Sequence, residues 1–309
     1  MDKYFDNTSL VKVISKWKKH IIIITIAAAI IGAVFSSSYF ITPMYKSEAL
    51  LYPDNIWAFS DETFTEQMLQ VMQSQDIMDS VINDFNLDKH YEIDKDYKYY
   101  KTALYNEYRT NVSISRTPYD AVIIRVKDKD PEMACAMVND IIRLYDLKVR
   151  RLQKLKHLEY IDQFKIEIAN YDRYLDSLKG RLNEIAVNYG IISVPEQAKE
   201  LTRAIASGNS SRVAELKENL ETYGPEVIDI TDKLLAESEI YSEVREEYEQ
   251  YIRKYQADLT HSNIISSPYP SDKKAYPVRW VIVVLCALSS CVLSTLVIYA
   301  IEHNRTSSK

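Results

Sequence analysis

The chain has 309 residues, is 47% hydrophobic and 27% charged, and carries a net charge of −6. That length allows one or two domains. The acidic balance excludes a nucleic-acid binder that works by neutralising phosphates.

The first apolar run, "IIIITIAAAIIGAVFSSSYFI", spans Ile21–Ile41 without a charge. A helix needs ~20 such residues to cross a bilayer, so the run predicts a transmembrane helix over 21–41. The apolar residues continue through Tyr39, Phe40 and Ile41 and the preceding arm is long, which fits an uncleaved anchor better than a signal peptide. A basic arm, residues 1–20, precedes it with Lys12, Lys16, Lys18 and Lys19. These place the N-terminus in the cytoplasm. Ala28, Gly32 and Ser36 fall on one helix face, a pattern that permits close helix–helix approach.

The external segment, Thr42–Val278, holds 30 Lys and Arg against 41 Asp and Glu. "YKSEALLY" (Tyr45–Tyr52) reads as a strand stopped by Pro53 and Asp54. Glu62–Leu87 has helical apolar spacing and predicts one helix. "NVSIS" and "AVIIRVK" alternate around the turn residues "RTPYD" and predict a hairpin. Together these form a base domain over 42–130.

A helix then starts sharply. Asp130 is the N-cap and Pro131 suits the first helical position. "KDKDP" (Lys127–Pro131) thus reads as a solvated turn plus cap, and not as a metal site. No strong breaker follows until Gly190, so Glu132–Asn188 gives 57 residues and ~85 Å of helix. Ile161, Phe164, Ile168, Tyr171, Leu175, Leu178, Leu182, Ile185 and Tyr189 form a coiled-coil seam. A second seam runs from Val213 through Leu220, Val227, Ile230, Tyr241 and Tyr251 to Tyr255. Gly224–Pro225 lies inside it and predicts a kink or restart. Residues 131–260 therefore predict a long helical hairpin with its tip near 190–211.

Residues 261–279 return to the membrane. "SNIIS" (Ser262–Ser266) reads as a strand, and Pro268, Pro270 and Pro277 favour an extended polyproline-like strut. Lys273, Lys274 and Arg279 would meet outer headgroups. A second uncharged run, Trp280–Ile301, predicts the other transmembrane helix, with Cys286, Ser290 and Ser294 on one face. With the N-terminus inside, two spans return the short tail, residues 302–309, to the cytoplasm. Cys286 and Cys291 lie within this span and Cys135 stands alone outside, which excludes a disulfide framework. The fold class is thus an α+β membrane protein: two transmembrane helices flank an external α/β base with a long coiled-coil hairpin.

The five histidines are scattered, and no hydrolase, zincin or phosphate-loop motif is present. No catalytic set, metal or cofactor is expected. The 24 tyrosines stand out, six of them between Tyr91 and Tyr108. Such amphipathic rings suit sugar stacking, subunit interfaces or half-buried core.

The order of parts resembles the polysaccharide co-polymerase family, the chain-length determinants of bacterial O-antigen and related surface polysaccharides. Tyr45, Ala49 and Leu51 resemble its first strand. Asp130, Pro131, Ala134, Ala136, Asn139 and Ile142 resemble its helix start. Pro268, Pro270 and Pro277 resemble its proline motif. The resemblance implies a homo-oligomer in the bacterial cytoplasmic membrane that governs how far a glycan polymerase extends a lipid-linked polysaccharide, without catalysing bond formation. Its rivals are the membrane adaptor of a split capsule or exopolysaccharide export system working with a separate tyrosine kinase, and a two-span sensor.

Overall fold

The computed structural model describes residues 7–58, 60–206 and 211–307, with side chains from Ile14 to Glu302 apart from Phe59 and residues 207–212. Lys12 of the arm, residues 207–210 of the expected tip, and Arg305 and Lys309 of the tail lie outside the side chains described. The chain divides into two compact units. The first is Met1–Lys148 with Thr260–Lys309, and the second is Val149–Leu259.

In the first unit, β1 (Met44–Pro53), β2 (Val112–Arg116), β3 (Val122–Asp128), β4 (Ser262–Ser266) and β5 (Lys274–Tyr276) form an antiparallel sheet. Its order is β2-β3-β1-β4, with β5 also on β1. The two-residue period of a strand decides which side chains face the core. On β1 these are Ser47, Ala49 and Leu51, and on β3 they are Val122, Ile124, Val126 and Asp128. Asp128 is thus carried inward by the same alternation that buries the valines. The expected solvated turn is corrected at this residue.

The helix expected over Glu62–Leu87 is broken into α2 (Phe64–Met72), α3 (Gln75–Asp84) and α4 (Leu87–His90). Thr63 and Glu66 form a capping box at the start of α2. The break falls at Gln73–Ser74, where the Gln73 side chain donates to the Ile114 carbonyl at 2.8 Å. Short segments let Met68, Met72, Ile77, Met78, Val81 and Leu87 all reach the core. Helix α5 (Tyr100–Asn111) follows, and α6 (Pro131–Tyr189) is continuous as its sequence predicts. Its opening turns bury Ala134, Met137, Val138, Ile141, Ile142 and Tyr145. The first compact unit therefore includes the start of α6, as far as Lys148.

The membrane-length helices are α1 (Asn7–Phe35) and α9 (Arg279–Ser307). Their apolar spans cover Ile14–Phe35 and Arg279–Glu302. The first begins and ends earlier than 21–41. Its lysines are good helix formers and extend the helix upstream, while Ser36 turns its hydroxyl onto the Ala33 carbonyl at the C-terminus.

In the second unit, α6 runs antiparallel to α8 (Ser211–Gln256). Lys154 pairs with Asp258, Tyr160 stacks on Tyr251, the Tyr241 hydroxyl donates to Asp172, and Tyr189 stacks on Tyr223. The described seam residues are the less exposed positions of both helices, apart from Tyr255. Arg181 grips Glu226 with two bonds of 2.7 and 3.1 Å, and the ion pair holds the Glu226 carboxyl below its ordinary pKa. The expected tip contains a helix of its own, α7 (Val194–Ala206), which packs on α8. Ile185, Ile191 and Val227 form the core there. Pro225 lies inside α8 with no restart. The residue before a proline resists helical geometry because its Cβ meets the ring, and Gly224 has none.

His157 is buried against the ring of Tyr251. Burial, and then the charge of Lys254, lower its pKa from the ordinary value of 6.5. Acid therefore protonates the unfolded chain before the fold. Stability is whole above the ordinary histidine value and falls as pH drops through it. The thermal midpoint should fall between pH 7 and pH 5, and a His157→Gln protein should show a shallower fall. Parallel pH curves for the two proteins would contradict this.

Candidate functional site where the apolar helices join the base

Helices α1 and α9 pack side by side in opposite directions. Ile21 and Gly32 on α1 and Ser36 just after it are buried, and Ala28 is half-buried. On α9, Ser294 is buried while Cys286 and Ser290 are half-buried. A Cβ at Gly32 would stand 3.0 Å from Cys286 Sγ, 3.1 Å from its Cβ and 3.6 Å from the Val283 Cα. The helices approach closely because that position has no side chain. At the far end, Lys16 is ion-paired with Glu302. The remaining faces present Ile22, Ile23, Ile26, Ile30, Leu288, Val292 and Leu296 outward.

The other end of the pair is tied to the sheet. β1 begins soon after α1, and β5 ends just before α9. Met44 pairs with Tyr276, and Tyr45 with Lys274. The proline segment is therefore flanked on both sides by residues paired to β1. Proline has no N–H for a ladder, so pairing along β1 stops after Ser266 opposite Leu50 and resumes at Lys274 opposite Tyr45. The loop between is held by the Ser47 hydroxyl, which donates to the Tyr269 carbonyl at 3.0 Å. Pro277 is buried after a cis Tyr276–Pro277 bond, while Pro268 is half-buried and Pro270 exposed.

The three basic residues sit in different local settings. Lys273 is exposed, and its carbonyl accepts from Ser271. Lys274 lies in β5, while Arg279 donates to the Ser38 hydroxyl at 3.3 Å.

The helix start meets the same sheet row. Tyr45 is paired on one side with Lys274 and on the other with Asp128. Asp128 accepts from the Tyr91 hydroxyl at 3.0 Å and the Asp130 amide at 2.9 Å, and His90 Nε2 lies 2.9 and 3.0 Å from its two oxygens. Burial, and then the Asp128 charge, push the Tyr91 phenol well above its ordinary range. Asp130 caps α6 by accepting from the Glu132 amide at 3.0 Å. Two further residues tie α6 to the sheet, since Asp146 accepts from the His261 amide and the Ser262 hydroxyl. The three motifs that carried the resemblance therefore converge on the opening residues of β1. Sequence reasoning missed Asp128, His90, Tyr91 and Glu302. Only Asp128 left a signal, the even spacing Val122, Ile124, Val126, Asp128.

Among known proteins, the family model described as chain length determinant protein matches residues 4–85. No curated protein sequence matches. Solved structures that match include a full-length bacterial polysaccharide co-polymerase. It is 12% identical with a TM-score of 0.47, and the match covers 96% of this chain and 97% of that one. The wild-type Shigella flexneri lipopolysaccharide O-antigen chain-length regulator is 12% identical over 74% of this chain and 99% of its own, with a TM-score of 0.35. A fragment of a Salmonella Typhimurium polysaccharide co-polymerase is 11% identical over 76% and 100%, with a TM-score of 0.29. Over residues 4–85, which hold α1, β1, α2 and α3, the chain is similar to the chain length determinant protein family.

Proposed function

We propose that this protein is a non-catalytic regulator of the length of a bacterial surface polysaccharide. It sits in the cytoplasmic (inner) membrane through α1 and α9, with both termini cytoplasmic and the base and hairpin periplasmic. It acts as a homo-oligomer beside a membrane glycan polymerase and its lipid-linked polysaccharide. The observation that carries this reading is the family match over residues 4–85. The junction at β1 supports it physically. One sheet row joins the outer ends of both membrane helices to the start of α6, so a displacement of the membrane pair is passed to the base through hydrogen bonds. Lys273 and Arg279 remain exposed for headgroups or a glycan pyrophosphate.

The test is a deletion strain complemented with the wild-type gene, with the surface polysaccharide resolved on a gel. Loss of the modal length on deletion and its return on complementation are expected. An unchanged ladder would overturn the reading.

A further inference from the structure

We propose that the base holds a saccharide-binding cleft between α3, α4 and α5, an inference that rests on the polysaccharide reading above. The cleft has a volume of 380 Å³, within the range of ligand pockets, ~300–1,000 Å³. Its floor is apolar, formed by Ile82 and Leu104, both buried. Half-buried Tyr100 and Tyr105 stand in its wall. A sugar ring needs this combination, because its C–H patch packs on aromatic and apolar surface while its hydroxyls need acceptors and donors.

The acceptors are pre-oriented. Lys95 pairs with Asp88 at 2.8 Å, and the Tyr100 hydroxyl also lies against Asp88. Asp79 is engaged by the Tyr105 hydroxyl. Each carboxylate has about four lone-pair sites, so these bonds hold the groups in place and leave capacity for a ligand. Around them Asn83, Asn86 and Lys101 are exposed, and their side chains have no hydrogen-bond or ion-pair partner among the described residues. Asn86 stands at φ 48, at the break between α3 and α4. That break turns a surface helix into the edge of a cleft. The charges also choose the ligand. Asp88 is paired with Lys95, and with Asp79 and Lys101 the lining is neutral in formal charge, which favours an uncharged ring over a phosphate.

The test is saturation-transfer NMR on the full-length protein in mild detergent, with glucose, galactose, mannose and N-acetylglucosamine as probes. Transfer to the ring C–H protons of at least one probe is expected. It should fall about five- to tenfold in an Asn83→Ala/Lys101→Ala protein, whose exposed changes remove ligand bonds without touching the core. No transfer to any probe, transfer unchanged in the double variant, or displacement by millimolar inorganic phosphate would each overturn the cleft. If the deletion strain still loses its modal length, such a failure removes the cleft alone and leaves the proposed function standing.

Discussion

An Asp128→Ala protein is expected to unfold about 3–5 kcal/mol more easily than the parent, because the change strips the acceptor from a buried network. Three groups lose their partner at once: the Tyr91 hydroxyl, the His90 ring and the Asp130 amide. Asp128 itself has no exposed side-chain surface, so the partners it leaves face a buried position. Asp128→Asn should be milder, since its amide oxygen still accepts while its NH2 faces donors. Asp130→Ala removes only a cap bond and should cost about 1 kcal/mol. Thermal or denaturant unfolding of the detergent-solubilised protein measures all three. Equal losses at Asp128 and Asp130 would show that the buried network contributes no more than an ordinary helix cap.

Gly32→Leu is the second large effect. The missing Cβ already stands within 3.1 Å of two Cys286 atoms, so a branched side chain must push α9 away. Overpacking of this kind costs about 1–3 kcal/mol, and the displacement strains the β1–β5 pairing above it. Lower thermal stability in detergent and a broadened glycan length distribution are both expected. Gly32→Ala should be weaker, because a single methyl needs the Cys286 atoms to give by only a few tenths of an ångström. A Gly32→Leu/Cys286→Gly protein should recover part of the loss. Stability unchanged in Gly32→Leu would contradict the close helix pair.

What could be read from the sequence was chemistry that acts over a few residues. Asp130–Pro131 signals a helix start by itself, and the three-four seam from Ile161 to Tyr189 needs no knowledge of its partner. Both apolar helices were visible as uncharged runs, although α1 also extends upstream through lysines that lie outside its run. Features that depend on distant partners were not visible. His90 and Tyr91 lie 38 and 37 residues from Asp128, and only the sheet brings them together. Lys274–Tyr276 is too short to announce a strand, and it becomes one because Met44 and Tyr45 offer a free edge. The break at Gln73–Ser74 is tertiary for the same reason: its stabilising bond reaches across to Ile114. The cleft at Tyr100 and Tyr105 had a compositional hint in the tyrosine-rich stretch, but which rings line a wall depends on how α3, α4 and α5 pack.

The central claim is regulation of length without catalysis. Its most direct measurement is glycan synthesis in isolated membranes fed a radiolabelled sugar nucleotide, with and without the wild-type protein. Total incorporation and product length are read from the same gel. The account predicts that the protein converts a broad ladder into a modal peak while total incorporation stays the same. An unaltered ladder, or a change in incorporation with no change in length, would contradict it.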